Sequence, residues 1–146
     1  MKKLIALSLW SILILTSCNN DDDTTSNIDT IVGVWKPFKA FEDGIEETIS
    51  ACEDLDRLTF NVDGTMNFKF HTTNVNSNCE VIEDQDGTWA KEGNNTYTTV
   101  YDFFPYQPET HDFFFVDNTF YFEYSDFNGT IDPVMVTHRK VFIRVE

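Results

Sequence analysis

Three cysteines are the side chains with the most distinctive chemistry in this 146-residue sequence. Cys52 and Cys79 lie in polar, turn-rich stretches, whereas Cys18 closes an apolar N-terminal run. A thiol can ligate a metal, act as a nucleophile, oxidise or accept a covalent group, and its neighbours decide which. No histidine falls within four residues of Cys52 or Cys79, and His71, His111 and His138 show no ligand spacing, so zinc is not expected. The acidic pairs Glu46-Glu47, Glu53-Asp54 and Glu83-Asp84 read as parts of solvated loops. There, neither desolvation nor a fixed partner would tune a carboxyl group for acid-base work. Gly-x-Ser-x-Gly and phosphate-loop patterns do not occur, and Asp84-Gln85-Asp86-Gly87 places its glycine two positions too early for an EF-hand. The expectation is a non-enzyme with no resident cofactor, and calcium on a loose acidic loop would be unspecific.

The surroundings of Cys18 point elsewhere. Met1-Lys2-Lys3 supplies a positive start, and residues 4–15 form an apolar stretch too short to span a bilayer as a helix. This reads as a secretory signal peptide over residues 1–17, removed on export. Leu15-Thr16-Ser17-Cys18 resembles the lipobox of bacterial lipoproteins. That resemblance implies diacylglycerol on the Cys18 sulfur, cleavage before it, and acylation of the new amino terminus. Several acyl chains, at about 0.8 kcal/mol per buried methylene, make a stable membrane anchor. An ordinary secretory signal with an incidental cysteine is the alternative.

Residues 18–29 carry Asn19-Asn20-Asp21-Asp22-Asp23 and then Thr24-Thr25-Ser26-Asn27, with no apolar side chain before Ile28. Such a stretch reads as a flexible tether of about ten residues. Its acidic cluster also resembles the signal that sends lipoproteins to the outer face of the outer membrane in one Gram-negative phylum, a plain solvated linker being the alternative. The location implied is the outer membrane, lipid-anchored and exposed on the cell surface, or else facing the periplasm. Asp23-Thr24-Thr25 and Asp29-Thr30-Ile31 further resemble O-glycosylation acceptors of the same bacteria.

Cleavage before Cys18 leaves 129 residues, enough for one domain over 30–146, and loss of Lys2 and Lys3 moves the formal charge from −15 to −17. Nucleic acid and anionic lipid headgroups would be repelled, so neither is an expected partner. Two cysteines then remain in an exported domain, which is most simply one disulfide, Cys52 to Cys79, stapling two loops and worth about 3 kcal/mol.

The dominant period along the chain is two. Leu58, Phe60 and Val62 alternate with polar residues, as do Met66, Phe68 and Phe70, and Asp63-Gly64 between them is a hairpin signal. Further strands are predicted over 31–41, 87–91, 96–102, 110–116, 119–125 and 134–145. Eight consecutive antiparallel strands suggest an all-β, up-and-down barrel, which leaves no exposed edge. Parity in the last strand switches between Val134/Val136 and Val141/Ile143/Val145, predicting a bulge within 137–140. Residues 43–56 read as a short helix, with Ile45, Ile49 and Cys52 at helical spacing, or as a loop over one barrel end.

Ile31-Val32-Gly33-Val34-Trp35-Lys36 carries a family resemblance. Gly-x-Trp at the start of the first strand, with the lipobox, the hairpin at residues 60–65 and Asp86-Gly87-Thr88-Trp89 read as a second turn, resembles the lipocalin-like domains of bacterial outer-membrane lipoproteins. The resemblance implies that Gly33 and Trp35 close the barrel floor and that Arg144, or Arg139 as second choice, lies across the indole. It also implies a site for a small apolar or amphipathic ligand.

Aromatic residues make up 15% of the chain. Phe60, Phe68, Phe70, Phe113, Phe115, Phe120 and Phe122 are expected mainly in the core. Tyr101, Phe104, Tyr106 and Tyr124 are the candidates for the rim of a pocket at the open end. If the interior were filled instead, an outward aromatic patch would suit an accessory subunit that docks another cell-envelope protein.

Overall fold

The computed structural model describes residues 28–102, 107–128 and 134–145. The leader, Cys18 and almost all of the tether, as well as Phe104 and Tyr106, lie outside the described residues. The strands are β1 (Gly33–Glu42), β2 (Ile45–Glu47), β3 (Arg57–Phe60), β4 (Thr65–Thr73), β5 (Cys79–Lys91), β6 (Thr96–Tyr101), β7 (Glu109–Asp112), β8 (Phe114–Val116), β9 (Thr119–Asn128) and β10 (Val134–Arg144). One turn of 3-10 helix, Glu53–Leu55, completes the described elements.

All ten strands belong to one antiparallel sheet in the order β7-β6-β5-β4-β3-β1-β10-β9-β8, with β2 added on β1. The alternation read in the sequence sets the faces: Leu58 and Phe60 of β3, and Met66 and Phe68 of β4, are buried, with more exposed residues between them. Between these strands, the Asp63 carboxylate accepts from the amide and hydroxyl of Thr65, and Gly64 takes a φ of 84°.

Several expectations are corrected. The sheet has ten strands rather than eight, because β2 is an additional strand and the stretch 110–116 is divided at Phe113. The Phe113 amide extends the β6–β7 register by one position, donating to the Asn95 carbonyl at 2.8 Å, and its ring is buried. As a result β7 pairs with β6 and β8 with β9, and no ladder among the described residues joins β7 to β8. The two ends of the path are nevertheless consecutive in the chain, one residue apart.

The bulge expected in the last strand lies in β1 instead. The β9–β10 register runs without interruption from Val134 opposite Asn128 to Ile143 opposite Thr119, and Val136 and Phe142 are buried on one parity. The shift falls between Pro37 and Lys39, where β1 passes from pairing β3 to pairing β2 and where Pro37 offers no amide hydrogen.

Residues 43–56 form β2 and the 3-10 turn rather than a longer helix. Asp43 and Gly44, at φ of 47° and 81°, make a tight reversal that helical spacing did not reveal. Asp86-Gly87-Thr88 is strand interior rather than a turn. A Cβ on Gly87 would stand 2.4 Å from the Val100 carbonyl oxygen, so close strand approach, not reversal, requires the glycine. Because β5 extends back to Cys79, Glu83 and Asp84 are exposed strand residues, and Glu46-Glu47 likewise belongs to β2.

Strand direction sorts the connections onto two ends of the sheet. Tight reversals between β3 and β4, β5 and β6, and β8 and β9 share one end with the start of β1 and the close of β10. That end is the floor. Trp35 is 1% exposed, and its indole N–H donates to the Ile31 carbonyl at 2.7 Å. The Arg144 guanidinium lies 4.3 Å from the indole centroid and donates to the carbonyls of Val32 and Thr30. Gly33, at a φ of 145°, opens the strand beneath them.

Asp29 fastens the incoming chain to the same floor. Its carboxylate accepts from the Tyr97 hydroxyl at 2.6 Å and the Ile31 amide at 3.1 Å, and pairs with Lys91 at 2.7 Å. Burial opposes ionisation of Asp29, but the bonds from Lys91, Tyr97 and the Ile31 amide outweigh it and hold the carboxyl below its ordinary value. Burial, and then the Asp29 carboxylate, push the Tyr97 hydroxyl up to about 12.

The folded protein therefore keeps its Tyr97 proton above pH 10, where an unfolded chain releases it, so stability is full below that pH and falls as pH rises towards 12. Denaturant midpoints followed through this window should show a decline that Tyr97→Phe makes shallower, while the variant is less stable at neutral pH through loss of the Asp29 bond.

Candidate ligand-binding cavity

Inward alternation builds a cavity of about 360 Å³ above the floor. Along several of the contributing strands polar inward residues follow the apolar ones with distance from the floor. In β6 the sequence is Tyr97, Thr99, Tyr101; on the stretch through β7 it is Phe113, His111, Glu109; in β10 it is Phe142, then Lys140. Strand β9 contributes Phe120 to the floor, and Phe122 and Tyr124 to the cavity wall. The outcome is an apolar base beneath a polar mouth.

The base is closed by rings. Phe113 stacks on Phe120 at 5.0 Å between centroids, and Phe120 on Phe142 at 5.1 Å with planes 14° apart. Of the expected core aromatics, Phe60, Phe68, Phe113 and Phe120 are buried, while Phe70, Phe115 and Phe122 pack partly buried against them. The lower interior is thus filled, and the cavity lies above it, beside Phe60, Met66, Phe70 and Phe122.

Most charged groups on the wall are already compensated. Asp56, 7% exposed, accepts from the His71 amide at 2.7 Å and faces His71 Nδ1 at 3.1 Å. Burial raises the Asp56 carboxyl above its ordinary value despite those His71 bonds. Glu53 accepts from the Ser50 amide at 2.7 Å, Glu109 lies 3.5 Å from His111 Nε2, and Lys39 pairs with Glu46 at 3.2 Å. Burial also raises the Tyr101 hydroxyl, and the neighbouring Thr99 hydroxyl partly offsets the effect. Thr99 is itself 3% exposed, so this pair of hydroxyls lies in the buried part of the wall.

One side of the mouth is roofed by residues 49–56. The disulfide Cys52–Cys79 ties this segment to the start of β5, with Cα atoms 5.2 Å apart, and Asp54 pairs with Lys36 of β1 at 2.7 Å. The bond expected from the sequence is therefore present. Its setting differs: Cys52 is buried at the head of the 3-10 turn, and Cys79 is the first residue of a strand rather than part of a loop, because β5 continues to the very end of its hairpin with β4.

Of the residues singled out for a pocket, Tyr101 and Tyr124 line the cavity, while Phe104 and Tyr106 lie outside the described residues. Gly33, Trp35 and Arg144 meet at the opposite end. Arg139, the second choice for the floor, faces outward and pairs with Glu123 at 2.6 Å. Sequence reasoning passed over Thr99, His111, Lys140 and Asp56. The alternation with Tyr97, Phe113 and Phe142 was the available signal for the first three. Among the described residues, no group of three or more histidine, cysteine or acidic side chains is placed to hold a metal.

The family model described as a lipocalin-like domain matches residues 31–120. The chain belongs to that family. No curated protein and no solved structure matches it. The matched span of the lipocalin-like domain begins at Ile31, takes in Gly33 and Trp35, and ends at Phe120. Most of β9 and all of β10, with Tyr124, Lys140 and Arg144, lie beyond it. An all-β antiparallel domain of this family with an internal cavity is a fold suited to ligand binding.

Replacing both Cys52 and Cys79 by serine should lower unfolding stability by about 3 kcal/mol. In hydrogen exchange the loss of protection should be greatest at the 53–56 amides, which depend on the tied roof.

Proposed function

We propose that this protein is a lipid-anchored lipoprotein of the outer membrane whose lipocalin-like domain binds a small apolar or amphipathic molecule. Residues 1–17 serve as the leader, 18–29 as lipidated cysteine and tether, and 30–146 as the binding domain. The observation that carries the binding reading is the cavity of about 360 Å³, apolar at its base and polar at its mouth. That volume falls within the range of small-molecule sites. In this reading the stretch 109–116 acts as one strand bent at Phe113, closing the sheet into a calyx of eight principal strands. Its role is binding rather than catalysis, consistent with wall carboxylates that are held by histidines or backbone amides.

The tether meets the domain at the floor, through Asp29, and the cavity opens at the other end. In this reading the anchor attaches at the end of the domain opposite the mouth, so a flexible tether leaves the mouth unobstructed.

A second reading rests on the outer face, where Phe114 stacks on Tyr121 at 5.0 Å and Arg139 lies 5.1 Å from the Tyr121 ring centre. Phe114 is 41% exposed, so this patch suits an accessory subunit docked on another envelope protein.

Binding of the apolar fluorophore N-phenyl-1-naphthylamine should saturate and be lost in Ala40→Trp, which fills the cavity from β1. Undiminished binding in that variant, at unchanged melting temperature, would argue for the outer patch. Palmitate labelling in cells should disappear in Cys18→Ala, and label retained there would overturn the anchor.

A further inference from the structure

Strands β8 and β9 leave their reversal as a paired hairpin, with Val116 opposite Thr119 and Phe114 opposite Tyr121, and there the pairing stops. Among the described residues no ladder joins β7 to β9. Both strands nevertheless border the cavity: Glu109, His111 and Phe113 line it from one side, Phe122 and Tyr124 from the other. The polar mouth therefore continues down one wall as a seam that ends at Phe113.

Local chemistry accounts for the break. Continuing the β8–β9 register past Phe114 would set Asp112 opposite Glu123 on the outer face and Glu109 opposite Asp126 on the inner one. Like charges directly opposite each other destabilise a strand pair. Three of these carboxylates are also drawn onto the strand behind them rather than across the seam. Asp112 accepts from the Thr96 hydroxyl of β6 at 2.6 Å, Glu123 from Arg139 of β10 at 2.7 Å, and Asp126 faces His138 Nε2 of β10 at 3.1 Å. Inside, rings bridge the two walls: Phe122 lies 5.1 Å from His111 and 5.4 Å from Phe113 between centroids. A wall held by ring contacts opens at lower cost than one held by a ladder, because no backbone hydrogen bond has to break.

We infer that this seam is the route by which ligand enters and leaves the cavity, kept unzipped by the opposed carboxylates, with the His111 and Phe122 rings as its inner door. The inference rests on the binding function proposed above and goes beyond it by assigning the path. The roof over residues 49–56 is a poor candidate for that path, since Cys52–Cys79 and the Asp54–Lys36 pair fix it in place. Passage through the seam depends on the population of its open state, so a change that zips the seam slows entry and exit equally and leaves affinity unchanged.

Asp112→Lys tests this, because it places a cation opposite Glu123 on the outer face without touching the cavity lining. Asp112→Asn, which removes the repulsion and keeps an acceptor for Thr96, should act in the same direction more weakly. Glu92→Lys, at the turn between β5 and β6, makes the same change in net charge away from the seam and serves as control. Hydrogen exchange and stopped-flow binding of N-phenyl-1-naphthylamine are followed on the full chain in lipid nanodiscs, with empty discs as blank. In Asp112→Lys the β9 amides within 122–126 that do not bond to β10 should gain protection, and dye association and dissociation should both slow about fivefold at unchanged affinity. Arg139→Gln, which strips Glu123 of its partner, should speed both rates, and Glu92→Lys should alter neither. No gain in protection in Asp112→Lys overturns the charge-held seam. Protection gained with dye rates unchanged overturns the entry route while the cavity reading stands. No saturable dye binding to the unaltered protein overturns the cavity reading itself.

Discussion

The contact between Trp35 and Arg144 is the constraint on which the remainder depends. These residues face each other across β1 and β10, which are separated by nearly the whole domain in sequence. Strand β1 is central in the pairing order, carrying β10 on one edge and β3, then β2, on the other. A slip of one residue between β1 and β10 would turn every inward side chain of β10 outward. The indole is fully buried, bonded to the Ile31 carbonyl and capped by the guanidinium, so only one register satisfies it. That register also decides that Phe142 completes the floor and Lys140 reaches the cavity.

Floor and mouth are built on different physical principles. At the floor, tight turns and stacked rings exclude water, and the segment entering β1 is tied in by a partly buried carboxylate with three partners. At the mouth, the segment over residues 49–56 is ordered by a covalent bond and an ion pair. A domain with a rigid base and a separately fixed rim can vary its rim without losing its fold. The family match fits this division, spanning the floor motif and ending before β10, which supplies part of the cavity wall.

Much of the architecture was legible in the chain. Alternation over residues 58–70 and the Asp63-Gly64 signal specify a hairpin through local chemistry alone, and reading Cys18 as a lipidation site left Cys52 and Cys79 with a single pairing. Errors arose where local signals competed. Asp43-Gly44 reverses the chain inside a stretch of helical spacing, because two positive-φ residues override periodicity. Asp86-Gly87 looks like a turn, but β6 packs so closely on β5 that the glycine serves the strand. The apparent parity switch in β10 came from counting apolar residues: the residues that share a face with Val136 and Phe142 between them are His138 and Lys140, both polar.

The sequence by itself determined the strand class through spacing and the disulfide through a count, and its Gly-x-Trp resemblance marked Gly33 and Trp35 as floor residues. It also carried the leader-like start and its cysteine as a pattern of charge, length and small residues. Only the tertiary structure decided which face of each strand is inside and which polar groups meet there. Thr99, His111 and Lys140 are polar residues far apart in sequence, so composition could not assign them to the inside. Register and the bend at Phe113 do so, because alternation fixes what shares a face while long-range pairing alone fixes which face is buried.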